Sequence, residues 1–260
     1  MIANLNKLIT SRDIITMWTR RTIKGRYQQS YVGWLWAVIQ PVIMVIIFTV
    51  IFTFFVPIDT GGIPYPVFSY VAVVPWAFFA SSLVDMSSSL IANMGLITKI
   101  YFPREALPVA AMFARLLDFG ISSALLIFMI IYFNLPVYPP GWLFLPLILI
   151  VQMALICGLG FITSALSIFS RDIQPLLTLV IQLWFYASPI IYPVTLVPEW
   201  LRTLYFLNPM AGILESYRDV IIRGNYPGTY LLISAVESIL ILLIGYWFFK
   251  RVEPVFADIV

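Results

Sequence analysis

Histidine is absent from the 260-residue chain, and cysteine occurs once, as Cys157 inside an apolar run. Without imidazole there is no Ser/His/Asp or Cys/His nucleophilic set. With one thiol there is no disulfide framework and no His/Cys metal cluster. Charge is the next scarcity. Asp, Glu, Lys and Arg make up 10% of the residues, against roughly 25% in a soluble domain, so the chain cannot cover a water-facing surface. The phosphate loop G-x-x-x-x-G-K-[ST] is missing as well, since Thr22-Ile23-Lys24-Gly25 lacks its glycine spacing. ATP hydrolysis is therefore not expected of this chain itself. The intramembrane acids are too few and too scattered for a catalytic carboxylate pair, and no cofactor or metal is expected on this chain.

What the chain has in abundance is apolar length. Hydrophobic residues make up 62% of it and the mean hydropathy is +0.98, which reads as an all-α integral membrane protein. A bilayer core of about 30 Å needs roughly 20 apolar helical residues. Six such spans are expected, near Trp34–Phe55, Val67–Leu90, Pro108–Phe133, Trp142–Phe169, Ile173–Tyr192 and Thr229–Phe249. The three prolines and the glycine of Asn134–Gly141 divide an otherwise uncharged stretch into spans three and four. The runs are continuous, not alternating, which excludes a membrane β-barrel.

No cleavable signal peptide is expected, because Lys7, Arg12, Arg20, Arg21, Lys24 and Arg26 precede the first apolar run. Ser11 to Lys24 reads instead as an amphipathic helix in the headgroup plane, capped by Ser11, with Ile14, Ile15, Met17 and Trp18 on one side. The alternative is a solvated basic tail. Arg20, Arg21, Lys24 and Arg26 are candidate contacts for an anionic lipid or substrate headgroup, or they serve only to orient the chain. Eleven of the Lys and Arg residues flank one side (the six above, Lys99, Arg104, Arg171, Lys250 and Arg251) and three the other (Arg202, Arg218 and Arg223). The positive-inside rule then puts both termini in the cytoplasm.

Residues 193–228 hold two half-polar helical stretches, Glu199–Phe206 and Ala211–Ile222, separated by Asn208-Pro209. They suggest a re-entrant hairpin in the outer leaflet or a loop lying on the surface; re-entrant backbone requires surrounding protein or a water-filled cavity. Within the membrane, Arg115 and Asp118 are neighbours on one helix face, with Asp85 at similar depth. They form a structural ion pair or a cytoplasmic gate. Glu237 lies mid-span in the sixth helix, as a hydrogen-bonded structural group or a canal residue. Ala154, Gly158 and Ile162, and separately Gly160 and Ser164, form small-residue faces for close helix approach.

"RRTIKGRYQQSYVGWLWAVIQP" (Arg20 to Pro41), "FPREALP", "FSRDIQPLL", "SPIIYP" and "LNPMAGILESYRDVIIRG" stand in this order along the chain. The set resembles the permease subunits of type-2 ABC exporters for polysaccharides, which handle O-antigen, teichoic acid and related lipid-linked glycans. The resemblance covers nearly the whole chain. It implies an amphipathic interface helix, six spans, re-entrant outer helices between spans five and six, and a homodimer served by two cytoplasmic ATPase subunits that bind ATP and Mg. Membrane lipids and a lipid-linked glycan are the other expected partners, and nucleic acid is not one. A type-2 exporter of drugs or lipids, or a stand-alone secondary transporter, is the alternative; the second should show paired intramembrane charges or an internal repeat of broken helices, and no repeat between halves is evident.

Two site expectations follow. The proline-bounded segment 93–107 is the candidate coupling helix, spanning about Gly95–Tyr101, with Ile97, Ile100, Tyr101 and Phe102 as apolar anchors and Lys99, Arg104 and Glu105 as polar rim. The resemblance puts spans one and five at the dimer centre. The candidate canal aromatics are Trp34, Trp36, Phe78, Phe79, Trp184, Phe185 and Tyr186, with Phe48 and Phe52 as a further pair. Mid-span Trp and Tyr are out of place as interface-belt residues, although ordinary packing is the competing role.

Overall fold

The computed structural model describes residues 12–28, 32–97 and 102–257, and among these there is no strand. The helices in chain order are α1 (Arg12–Tyr27), α2 (Gly33–Phe55), α3 (Tyr65–Ser89), α4 (Met94–Ile97), α5 (Ala106–Tyr132), α6 (Leu145–Phe169, with a one-turn lead-in Pro139–Trp142), α7 (Ile173–Tyr186), α8 (Glu199–Tyr205), α9 (Pro209–Arg218) and α10 (Thr229–Val252). Five of them, α2, α3, α5, α6 and α10, are long and apolar enough to cross a membrane.

The fifth expected span is shorter than anticipated. α7 has 14 residues, about 21 Å at 1.5 Å per residue, and stops at Tyr186 instead of Tyr192. Ser188-Pro189 is the reason, because the residue before a proline is disfavoured in helix. The chain beyond is irregular, and other parts of the protein satisfy its backbone. The Ala187 carbonyl accepts from Asn208 (3.3 Å), that of Ile190 from Arg218 (2.8 Å) and that of Ile191 from the Tyr65 hydroxyl (2.8 Å). Non-helical backbone at membrane depth is tolerated under that condition.

α3 is the central helix. Over its apolar window 78% of residues are buried, against 11% for α2, so α2 lies on the periphery of the bundle. α6 and α10 pack closely through glycine. A Cβ on Gly158 would stand 2.6 Å from the Ile241 and Leu242 backbone, and one on Gly245 would strike the Gly158 carbonyl. The small-residue faces of α6 therefore serve internal packing: Gly158 meets α10, and Gly160 meets Met86 of α3. A second, smaller core sits at the Lys- and Arg-rich end, where Trp18, Leu90, Leu107, Phe161, Phe249 and Phe256 meet.

α8 is exposed, whereas every residue of α9 is buried. α9 wedges between α3, α6 and α10. Its Tyr217 hydroxyl donates to Gln152 Oε1 (3.0 Å), and Gln152 Nε2 donates to the Pro75 carbonyl (2.7 Å). Gln152 lies seven residues into α6, about 10 Å along the helix axis. The buried half of the hairpin is thus not a loop lying on the outside of the bundle.

Candidate functional site

A cluster of paired, largely buried charges lies at the other end, where α1 meets the ends of α3 and α5. Arg26 occupies the last turn of α1, Asp85 lies near the C-terminal end of α3, and Arg115 and Asp118 lie on α5. Arg26 donates to Asp85 (2.5 Å) and to Asp118 (2.9 Å). Arg115 makes a two-pronged contact with Asp85, Nε to Oδ2 at 2.7 Å and Nη2 to Oδ1 at 3.0 Å, and also reaches Asp118 at 3.1 Å. Two cations and two anions therefore alternate in a closed ring, each bridging both opposite partners, with no net charge. All four side chains are at least three-quarters buried. Such a cluster is tolerable in a low-dielectric setting only because every charge is paired.

Tyr27 closes the ring by donating to the other oxygen of Asp118. Burial, then the bond and charge of Asp118, push its phenol above the usual range. Four residues of the cluster face a small cavity of about 100 Å³ shared with Gly33, Trp36, Ala37 and Gln40 at the root of α2. Gly33 has φ +55° with open space around it, so backbone conformation, not crowding, favours glycine there. The ring thus ties α1 to α3 and α5 at the point where the chain turns into α2.

The sequence expectations divide at this site. Arg115 and Asp118 pair along one helix as their spacing suggests, and Asp85 joins them. Arg26 departs from its expected role: it does not face headgroups, because two carboxylates neutralise it. Arg20, Arg21 and Lys24 remain exposed, with the Arg21 guanidinium 4.5 Å over the Trp18 ring. α1 runs to Tyr27, past the expected end at Lys24. Ile14, Ile15 and Trp18 face the protein, but Met17 points away. Ser11, the expected cap, lies outside the described residues.

Of the coupling segment, Lys99, Ile100 and Tyr101 lie outside the described residues. Ile97 ends α4, which begins at Met94 and follows a single 3₁₀ turn, Ile91–Asn93, after α3. Phe102 packs partly buried against the smaller core. Glu105 is turned inward and away from the expected rim, and half-buried Arg104 also has a partner within the chain. Glu105 is 1% exposed and paired with Lys250 at 2.7 Å, and Arg104 donates to the Glu253 carbonyl. α5 begins at Ala106, two residues before Pro108, because a proline in the first turn removes only an N–H that has no helical partner.

Most of the candidate canal rings form an internal seam. Phe48 stacks on Phe185 (5.8 Å between centroids) and lies 6.3 Å from Phe52. Trp76 meets Phe79 (5.3 Å) and Phe185 (5.8 Å), and Phe79 meets Trp184 edge to face (5.2 Å). Phe78, Phe79 and Phe185 are enclosed within the chain and offer no face to a polymer in this conformation. Ring edges and faces attract one another, and the seam joins α2, α3 and α7. Trp184 is half-buried and donates its indole N–H to Asn208 (2.8 Å). Trp34, Trp36 and Tyr186 remain exposed, at 56%, 51% and 58%. Glu237 is partly exposed on α10, with its Oε2 buried and without a partner among the described residues.

Residues 14–222 match the family model described as ABC-2 type transporter. The chain belongs to this family. It is 31% identical to an O-antigen export system permease protein RfbA of Klebsiella pneumoniae over 248 residues, 95% of each chain. It is 27% identical to the protein of the same name from Myxococcus xanthus over 264 residues, 99% of each. The polysialic acid transport protein KpsM of Escherichia coli is 25% identical over 238 residues, 90% of this chain and 91% of the relative. These relatives are named for O-antigen export and for polysialic acid transport.

In this ABC-2 chain the opposite end carries a second polar cluster that reading the sequence did not single out. Arg218 is fully buried, 3.9 Å over the Phe68 ring, and paired with Glu215 at 3.3 Å. Arg223 bonds Glu215 and also Asp219, the latter at 2.9 Å. The i, i+3 and i, i+4 spacing within "ESYRDVIIR" was the available signal. Gln152 had none, because its partners lie far away in sequence, and for Asn208 only the capping role before Pro209 was legible, not its bond to Trp184. Asn208 caps α9 through the Met210 N–H (3.1 Å) while accepting from Trp184.

Proposed function

We propose that this chain is the membrane-spanning permease subunit of an ATP-driven exporter that moves a lipid-linked polysaccharide, O-antigen-like or teichoic-acid-like, out of the cytoplasm across a bacterial plasma (inner) membrane. The observation that carries the reading is the likeness over 95% of both chains to O-antigen export permeases. In this reading two copies pair, two cytoplasmic ATPase subunits bind ATP and Mg, and both termini are cytoplasmic. The exposed apolar faces of α2 and α7, joined by the Phe48–Phe185 stack, support a second copy on that side. Trp34, Trp36 and Tyr186 on those helices are the rings available to slide a sugar polymer. The 93–102 segment docks on the ATPase, Arg20, Arg21 and Lys24 meet the anionic headgroup, and α8 and α9 form a re-entrant outer hairpin. The charge ring sets the angle of the interface helix against the first span, where substrate enters. Deleting the gene in its host and assaying surface glycan tests the reading. Loss of surface glycan with accumulation of lipid-linked glycan inside is expected; a normal surface coat would overturn it.

A further inference from the structure

The segment preceding α5 is held at one point to the far end of the chain. Glu105, at the N-terminal boundary of α5, is buried and bonded to Lys250 Nζ at 2.7 Å; Lys250, in the last turns of α10, also bonds Glu253 at 2.9 Å. Arg104 bonds the Glu253 backbone carbonyl and packs over Phe256 at 5.9 Å. Phe256 is itself fully buried, edge-on to Phe249 (5.6 Å) and Phe169 (6.3 Å). An anion at a helix N-terminus and a cation at a helix C-terminus each complement the helix dipole, so the pairing suits both helices. The clasp joins residues 104–105, the end of the candidate coupling segment, to the last span and to the end of the fourth. Neither of those spans touches that segment through chain connectivity.

We infer that the Glu105–Lys250–Glu253 clasp, with Arg104, is a positioning device that carries movement of the 93–104 segment into α10 as well as into its covalent neighbours α3 and α5. The inference rests on the proposed function above. A flexible loop alone would move α3 and α5 and leave α10 behind. A buried, two-carboxylate grip on Lys250 makes α10 follow.

The test uses the full complex of permease and ATPase subunits, with each variant as the sole copy. Lys250→Met leaves the buried Glu105 carboxylate without its cation, and loss of one partner of a buried pair is strongly destabilising. Its melting temperature should fall. Glu105→Gln/Lys250→Met removes both charges and should regain melting temperature and ATPase co-purification. A purely structural clasp would then export normally. The inference expects surface glycan per ATP hydrolysed to stay at least about tenfold down, a loss of about 1.4 kcal/mol in coupling, with ATP turnover retained. Arg104→Gln weakens the clasp from its other side and decides the matter if the double variant does not assemble; a several-fold loss of export per ATP is expected there, while Lys250→Arg should export normally. Wild-type yield per ATP in every variant that assembles overturns the clasp. A wild-type complex that binds no ATPase or delivers no glycan overturns the functional reading instead, so the two failures are distinguishable.

Discussion

Replacing Arg26 by Met tests whether the charge ring holds the interface helix in place. The substitution removes two contacts, 2.5 Å to Asp85 and 2.9 Å to Asp118, and keeps most of the apolar stem. Hydrogen bonds to charged groups contribute about 1.5–3 kcal/mol each, and breaking a buried pair costs about 3–5 kcal/mol. The lower end applies because both carboxylates keep Arg115 and Asp118 keeps Tyr27. A loss of about 3 kcal/mol corresponds to a fall of about 6–12 °C in melting temperature for a chain of this size, measured on the purified protein in detergent or nanodiscs. Arg26→Met/Asp118→Asn restores the balance of one cation to one anion and should recover more than half of the loss. Arg26→Lys should fall between, since one ammonium on a flexible stem cannot reproduce a planar fork. A melting temperature for Arg26→Met within about 2 °C of wild type, or a double variant worse than the single, would refute the ring as a structural unit.

Six further substitutions have outcomes that follow from the same geometry. Gly245→Ala pushes a methyl onto the Gly158 carbonyl and should destabilise by about 1–3 kcal/mol, read by thermal unfolding. Gln152→Leu strands the Tyr217 hydroxyl and should cost about 1–3 kcal/mol, with proteolysis at the outer hairpin as a second readout. Asn208→Ala removes a helix cap and the Trp184 partner together and should cost about 2 kcal/mol, while Trp184→Phe, losing only its own bond, should cost about 1 kcal/mol. Phe79→Leu should lower stability with export retained in what assembles, whereas Tyr186→Leu should lower surface glycan with stability unchanged; the reverse pattern would return Phe79 to the canal.

The sequence by itself determined the membrane class, the rough limits of the five long helices, the basic amphipathic start and the hairpin before the last span, while it made the fifth expected span too long. These depend on composition, run length, and proline and charge spacing, all local properties that a bilayer reads residue by residue. Arg115 and Asp118 were legible as a pair for the same reason, being three apart on one helix. Only the tertiary structure decided where the aromatic residues point. A mid-span Phe has the same local signature whether it lines a canal or a helix seam; Phe79 and Phe185 turned inward because rings on α2, α3 and α7 met one another, and Phe78 because it meets Phe119 of α5. Long-range contact also assigned Arg26 to two aspartates 59 and 92 residues away, and Glu105 to a lysine 145 residues away. A charge near a membrane surface can be solvated by headgroups or by an opposite charge, and sequence spacing is silent on which lies closer. In this fold the partner was another helix of the same chain, which turned expected surface groups into parts of the frame.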